Sequence, residues 1–377
     1  MQHAEVLIIG GGPAGSSCAW ALRRAGINVA VLDQARFPRD KVCAGWITPA
    51  VLESLRIDVD DYARELGIQP IRGFRVGLMN AAGNIGKAVD IRYHATVSYG
   101  IRRSEFDDYL LQRSGARLYC GEPARSLRRE GREWRINDIY AAPMLVGAGG
   151  HACPVARLLG AHPGREPAVV AKEIEFLLPE AARATCKIYG QRPELYFCRD
   201  LAGYGWCIRK GDYLNIGLGR DDRWELTKHV EGLLAYLRRE RGVPQPPGHL
   251  NGHAYLLHGR GHRNLLDDGV LLIGDSAGLA SPQSGEGIRA GIESGLLAAQ
   301  TIIEARGEYS RQRLQPYLDR LQDRLGRGNS LNDALPIWAR IVFARALFRL
   351  PGLVRQMVLD KGFLHSGQPA LTAMQAG

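Results

Sequence analysis

An apolar stretch at residues 5–9 (EVLII) runs directly into Gly10-Gly11-Gly12-Pro13-Ala14-Gly15, and small and apolar residues then recur at helical spacing over residues 16–25. Gly26 follows as a C-terminal stop, and a second apolar run at residues 28–32 ends on Asp33. Strand, glycine turn, helix, strand and terminal acid in that order predict a βαβ unit that opens a parallel α/β sheet. Gly10 permits the tight turn, Gly12 lets the backbone approach a pyrophosphate, and Gly15 lets helix and strand pack closely. Pro13 and Ala14 open the helix, whose free N–H groups and partial positive charge suit phosphate.

Asp33 lies 23 residues after Gly10, at the place where a carboxylate accepts hydrogen bonds from a ribose, with Gln34 beside it. A carboxylate there repels a 2′-phosphate, so the site suits FAD or NAD rather than NADP. A second glycine-rich stretch decides between them. GDSAGLASPQSGEGIRAGIESG begins at Gly274, immediately after the apolar run VLLI. Asp275 ends a buried strand and can receive ribityl hydroxyls, while Gly285, Gly287 and Ile288 lead into a helix. The N-terminus of that helix favours the negative charge of a reduced flavin, and the glycines admit the backbone close to the ring. The two loops therefore read as the two ends of one long ligand, FAD, with Glu286 contributing through its backbone more than as an acid.

The rest of the chain alternates between two sheet types. Short strands and turns fill residues 73–100 (FRVGLM, NAAGN, AVDIRY) and residues 168–258 (VVAKEIEFL, TCKIYG, YGWCIRK, YLNIGLG), the latter with one helix at 225–240. The predicted organisation is a discontinuous FAD-binding domain (1–72, 101–165, 259–310), an inserted, mostly antiparallel β-rich substrate domain (73–100, 166–258), and a helical C-terminal region (311–377).

Composition narrows the field further. The formal charge is +10, and with only seven lysines it is carried almost entirely by arginine. No nucleic-acid motif accompanies it, so an anionic cofactor or a lipid surface is the better use of that charge. The seven cysteines show no metal spacing and read as reduced thiols, and no metal site is expected. No apolar run approaches the ~20 residues that span a bilayer. The start MQHAEVLIIG lacks a basic leader and reads as a mature cytoplasmic N-terminus. ALPIWARIVFARALFRLPGLVRQMVLDKGFL near the C-terminus mixes apolar bulk with Arg340, Arg345, Arg349 and Arg355. It suits either peripheral contact with a membrane surface or a helical cap on the FAD domain. Nothing in the sequence fixes an oligomeric state.

The paired loops, together with Arg103-Ser-Glu-Phe106-Asp107-Asp-Tyr-Leu110, resemble the FAD-dependent oxidoreductases and monooxygenases with the p-hydroxybenzoate hydroxylase fold. In that group the arginine of R-x-x-F-D-x-x-L contacts FAD, which implies the same for Arg103. Within the group the geranylgeranyl reductase-like branch is the most similar. Phe37–Leu55 (FPRDKVCAGWITPAVLESL) resembles the branch's arginine-rich segment leading to C-G-G, with Ala44 replacing one glycine. Gly203–Gly219 (GYGWCIRKGDYLNIGLG) resembles Y-x-W-x-F-P-K followed by N-x-G-x-G, with Ile208 and Arg209 replacing Phe-Pro. Val146–Gly160 (VGAGGHACPVARLLG) carries Gly149 in place of the group's aspartate. The aspartate normally assists FAD and NADPH interactions, so NAD(P)H as electron donor is less secure here.

The resemblance implies an FAD-dependent enzyme that reduces carbon–carbon double bonds of an isoprenoid or other apolar or lipid substrate. Cys43 is the candidate proton donor beside the flavin, with Arg39 and Lys41 close in sequence. Tyr204 and Trp206 share one strand face and are expected to wall an apolar pocket over the flavin. Three further readings share the motifs: a single-component monooxygenase using O2 and NAD(P)H, a flavin-dependent halogenase, and a membrane-associated electron carrier. The halogenase reading is weakened because Tyr204-Gly-Trp206-Cys-Ile208-Arg only partly matches W-x-W-x-I-P.

Overall fold

The structure is a computed structural model that describes residues 1–326, 328 and 336–371. The helical expectation over 327, 329–335 and 372–377 lies outside the described residues. The architecture is mixed α/β with two principal sheets.

The first sheet has six strands in the order Leu266–Asp267, Val270–Leu272, Met144–Gly147, Val6–Ile9, Val29–Asp33, Arg117–Cys120. All its pairs are parallel except the first, at the edge. Its central strands are buried along their whole length, which is why they read as unbroken apolar runs rather than alternating ones. The helices Pro13–Arg24 and Ile288–Ala305 pack against this sheet and against each other. Their contact is backbone-close: a Cβ at Gly295 would lie 2.4 Å from the Ala14 carbonyl oxygen. A four-stranded sheet built from Gln2–His3, Tyr140–Ala142, Glu133–Ile136 and Leu127–Glu130 adds Trp134, Ile136 and Tyr140 to the same core.

The second sheet has seven strands in the order Asn251–Tyr255, Val169–Leu177, Tyr213–Arg220, Gly203–Lys210, Glu194–Cys198, Gly73–Met79, Val89–Arg92. It is antiparallel apart from the pairing of Glu194–Cys198 with Gly73–Met79. The period of two sorts its side chains. Cys207 and Tyr196 point to the face covered by the helix Arg223–Arg241, whereas Trp206, Ile208 and Leu195 point to the opposite face. A three-stranded sheet (Trp46–Ile47, Ser98–Ile101, Ile68–Ile71) links the two larger ones.

Two sequence expectations need correction. TCKIYG at residues 185–190 is not a strand. Its Lys187 N–H donates to the Arg241 carbonyl at the end of the long helix, and Cys186 and Ile188 reach the core from a loop, so the alternation reflects tucking rather than sheet pairing. Conversely, Glu194–Cys198 is a strand that the sequence reading passed over. The C-terminal region is helical over Arg311–Leu314, Pro316–Leu325, Ile337–Leu347 and Pro351–Leu353, and winds as a π-helix over Val354–Phe363. It does not cap only the FAD-type sheet. Leu347, Phe348, Val354, Leu359, Phe363 and Leu364 pack on the open face of the seven-stranded sheet, against Phe74, Val76, Trp206 and Ile208.

Candidate active site

Sheet order explains why loops so distant in sequence meet. The strand leading to Gly274 lies one strand away from the strand leading to Gly10, and both strands are parallel, so both loops emerge at the same sheet end. Between them opens a cavity of about 720 Å³. Its lining includes Gly10, Gly12, Pro13, Ala14, Asp33, Gln34, Cys43, Arg103, Tyr204, Trp206, Gly274, Asp275, Gly285, Gly287 and Ile288. Gly15 does not line it. A Cβ there would fall 1.9 Å from the Gly10 carbonyl oxygen, so this glycine closes the turn against the helix.

The nucleotide end is built from backbone. Gly10 has φ +113°, and a side chain there would strike the Ala148 carbonyl at 2.3 Å. Gly12 is the N-cap of a helix with no acid in its first turn. Asp33 holds the turn rigid: its carboxylate accepts the Gly11 N–H at 2.7 Å and the Ala35 N–H at 2.8 Å. The cavity walls also carry Arg39, Lys41, Arg103 and Arg157. Arg103 is buried and forms a two-pronged ion pair with Asp107 at 2.7 and 2.8 Å, while Arg39 Nη2 lies 3.3 Å from the same carboxylate.

The other end is more densely wired. Asp275 Oδ2 lies 3.5 Å from His253 Nε2, and Lys41 Nζ lies 3.1 Å from the same ring nitrogen. Burial pushes the Asp275 carboxyl up, but His253, Lys41 and Arg103 overcome it and hold the group below its ordinary value. Burial drives the Lys41 ammonium down, with Asp275 opposing. Burial also pushes Glu286 up to about 7, against the Arg289 N–H that its carboxylate accepts at 2.6 Å.

Cys43 sits on a turn that requires glycine two residues later. Gly45 has φ +61°, and a Cβ there would lie 2.2 Å from the Ile101 carbonyl oxygen. Asn215 Nδ2 donates to the Cys43 carbonyl at 3.0 Å and to Glu173 at 2.6 Å, while its Oδ1 accepts Trp206 Nε1–H at 2.7 Å. The Cys43 turn and the aromatic wall are thus fastened to one buried asparagine. Arg103 adds a charge beside the thiol: burial alone would lower this guanidinium, but Asp107 and Cys43 raise it above its ordinary value. Tyr204 donates to the Ser284 carbonyl at 2.6 Å, which ties the wall to the second glycine loop.

Several cavity residues escaped the sequence reading. His253 and Tyr255 share a face of Asn251–Tyr255 by the period of two, a signal hidden in a short strand after a Pro/Gly stretch. Behind the cavity wall, Glu173 lies within an apolar strand and gave no local sign, and Asn215 showed only as the asparagine of N-x-G-x-G, with no hint of its partners. Phe363 lines the cavity from the C-terminal segment, stacked on Trp46 at 5.3 Å.

The residues present fit FAD. Two glycine cradles face a single cavity, basic groups line it, and two buried polar atoms of its lining residues, Trp46 Nε1 and Thr48 Oγ1, have no partner within the protein. Fold and site together define an FAD-dependent oxidoreductase. The family model described as FAD binding domain matches residues 3–325, and the chain belongs to that family, in its geranylgeranyl reductase-like branch. It is 31% identical to a menaquinone reductase of Mycobacterium tuberculosis, over 89% of this chain and 84% of that one. It is 23% identical to a digeranylgeranylglycerophospholipid reductase of Methanocaldococcus jannaschii, over 85% and 82%. A geranylgeranyl bacteriochlorophyll reductase-like structure from Thermoplasma acidophilum superposes with a TM-score of 0.73 at 21% identity, covering 99% of this chain and 94% of that one.

Proposed function

We propose that the protein reduces carbon–carbon double bonds in an isoprenoid or other apolar lipid substrate, with NAD(P)H as the source of electrons. The observation that carries this reading is the wall over the second glycine loop. Tyr204, Trp206, Trp46 and Phe363 bring four aromatic rings to the same end of the cavity as Cys43, Gly285 and Gly287. Such a surface receives a hydrocarbon chain rather than a polar ring. FAD held in this cavity would, when reduced, be the source of the hydride that one alkene carbon receives. Cys43 Sγ is the group placed to give a proton to the other carbon, with Arg103 beside it to stabilise the thiolate left behind. Gly10, Gly12, Pro13, Ala14, Asp33, Gln34 and Arg103 bind the nucleotide portion, and Gly274, Asp275, Gly285, Gly287 and Ile288 bind the flavin portion. The names of the relatives support the same class of substrate.

No described helix is long and apolar enough to cross a membrane. The helix Ile337–Leu347 nevertheless turns Ile337, Trp338, Val342 and Phe343 outward, with Leu350, Leu353 and Met357 exposed just beyond it. Exposed Arg345, Arg349 and Arg355 accompany this face. It suits docking on an anionic lipid surface, from which an apolar substrate enters under Phe363.

The test is an anaerobic titration of the FAD-loaded protein with NADPH, followed by addition of a geranylgeranyl lipid and mass spectrometry. Bleaching of the flavin, then a product heavier by two hydrogens, is expected. Oxygen uptake coupled to a hydroxylated product would replace this reading with a monooxygenase.

A further inference from the structure

Two carboxyl groups stand at the start of the helix Ile288–Ala305, and their surroundings set them apart. Gly287 is the N-cap of this helix, and no acid follows in its first turn. Asp275 Oδ1 lies 3.1 Å from the place a Cβ on Gly287 would take, and Glu286 Oε1 accepts the Arg289 N–H at 2.6 Å. Asp275 and Glu286 therefore bring negative charge to the positive end of the helix. Asp275 is held ionised by His253, Lys41 and Arg103.

Glu286 has weaker company. It faces His365 on the C-terminal segment, whose Nε2 lies 4.0 Å from its Oε2. Burial and Arg289 hold that imidazole below its ordinary value, with Glu293 opposing and Arg324 adding to the shift, so it is neutral at pH 7. The Arg289 guanidinium is directed elsewhere: Nε donates to Glu293 at 2.8 Å, and Nη2 to the Gln368 and Pro369 carbonyls at 3.1 and 3.3 Å. Arg324 grips Glu293 as well, at 2.9 and 2.6 Å, so Glu293 is the carboxylate that both arginines neutralise. Tyr204, from the seven-stranded sheet, spends its one O–H on the Ser284 carbonyl. Burial, with Glu293 reinforcing it and Arg289 opposing, leaves Glu286 at about 7, where a carboxyl group gains or loses its proton at neutral pH. His365 is itself 17% exposed, so solvent protons reach Glu286 across one side chain.

Glu286 also lines the cavity, between Gly285 and Gly287. The flavin portion that this loop receives gains negative charge on reduction. That charge and the Glu286 carboxylate would then share one helix N-terminus, in a cavity walled by Tyr204, Trp206 and Phe363 where little water screens them. Like charges so placed favour protonation of the group that can accept a proton. Asp275 is fixed as an anion by its cations, which leaves Glu286.

We propose that Glu286 is the proton acceptor coupled to reduction of the flavin. Two electrons and one proton reach the flavin as hydride from NAD(P)H, which is oxidised; Glu286 takes a further proton from solvent and gives it back when the flavin is reoxidised. The side chain thus acts in addition to the backbone of its loop. This coupling needs only FAD in the cavity, and it is independent of which substrate the reduced flavin serves.

Potentiometric titration of the FAD-loaded protein with dithionite, followed by flavin absorbance across neutral pH and with no substrate present, reads the coupling. Each extra proton bound per two electrons changes the reduction equilibrium about tenfold per pH unit, or about 30 mV. Glu286→Gln keeps the Oε1 acceptor for the Arg289 N–H and cannot titrate. At about pH 5.5, where Glu286 is protonated in both redox states, the two proteins should share one potential. Above neutral pH the wild-type potential should fall more steeply, until by about pH 9 it lies about tenfold, or about 30 mV, below that of the variant. A separation that does not change with pH overturns the proposal. So does a steep slope that survives in the variant, since the proton would then reside on His365 or on the flavin itself. If Glu286→Gln purifies without flavin, the reduced-minus-oxidised infrared spectrum of the wild-type protein at about pH 8 takes its place. A carboxylic acid C=O band gained on reduction and shifted in D2O is expected, and a spectrum without it refutes the coupling. A protein that shows the coupling yet reduces no alkene would sustain the role of Glu286 while refuting the reductase reading.

Discussion

Glu173 offers the sharpest test of the network behind Cys43. It is only 5% exposed, in the middle of Val169–Leu177, and Asn215 Nδ2 donates to its Oε1 at 2.6 Å. Burial pushes its carboxyl from 4.5 up to about 7; Lys210 opposes this, Glu175 reinforces it, and the Asn215 amide and the Cys43 main-chain N–H favour the ionised form. The sign follows from linkage. Between these two values the folded chain keeps a proton that the unfolded chain has lost, so stability falls as pH rises through that window and levels off above it. At about 1.4 kcal/mol per unit, the ionised carboxylate costs the fold about 3 kcal/mol above neutral pH. Glu173→Gln keeps the Oε1 acceptor for Asn215 and cannot ionise. Its stability relative to wild type should therefore increase by about 3 kcal/mol between about pH 5 and about pH 8, offset at every pH by about 1 kcal/mol for an amide N–H facing the Cys43 N–H. Urea unfolding of the FAD-loaded protein and the variant at both pH values measures this directly. Glu286, also raised to about 7, is common to both proteins and cancels. A difference in stability that does not change with pH would show that Glu173 is ionised throughout and that its surroundings are polar enough to solvate it.

Three other outcomes follow from the site. Gly15→Ala places a methyl 1.9 Å from the Gly10 carbonyl, so the variant should purify without flavin absorbance while its far-ultraviolet circular dichroism stays near wild type. Cys43→Ala should leave flavin reduction by NADPH intact and abolish reoxidation by the alkene, read by anaerobic stopped-flow absorbance. Trp206→Phe removes the donor to Asn215 Oδ1 and leaves a buried acceptor unpaired, which should cost about 1–3 kcal/mol in urea unfolding. The same variant should slow substrate turnover more than flavin reduction.

What the sequence disclosed and what it withheld divide along one physical line. Gly10, Gly45 and Gly285 are demanded by the conformation of their own backbone, at φ +113°, +61° and +68°, and such demands are written locally. Tyr204 and Trp206 were legible for a similar reason, because the period of two places both on one face whatever that face meets. TCKIYG satisfied the same period and misled, since alternation reports which side chains are buried and not whether a strand is paired. Asn215, Glu173 and His253 acquire their roles through partners far along the chain: Asn215 reaches Cys43, 172 positions away, and Lys41 reaches His253 across 212. No window of sequence contains both members of such a pair. The cofactor cradle is made of local backbone requirements and could be read from the chain. The machinery around Cys43 is made of long-range side-chain pairs, and the same holds for the roof that Phe363 lays over Trp46. Chains that share the cradle can therefore diverge in this network and in this roof without disturbing the local backbone conformations that the cradle requires.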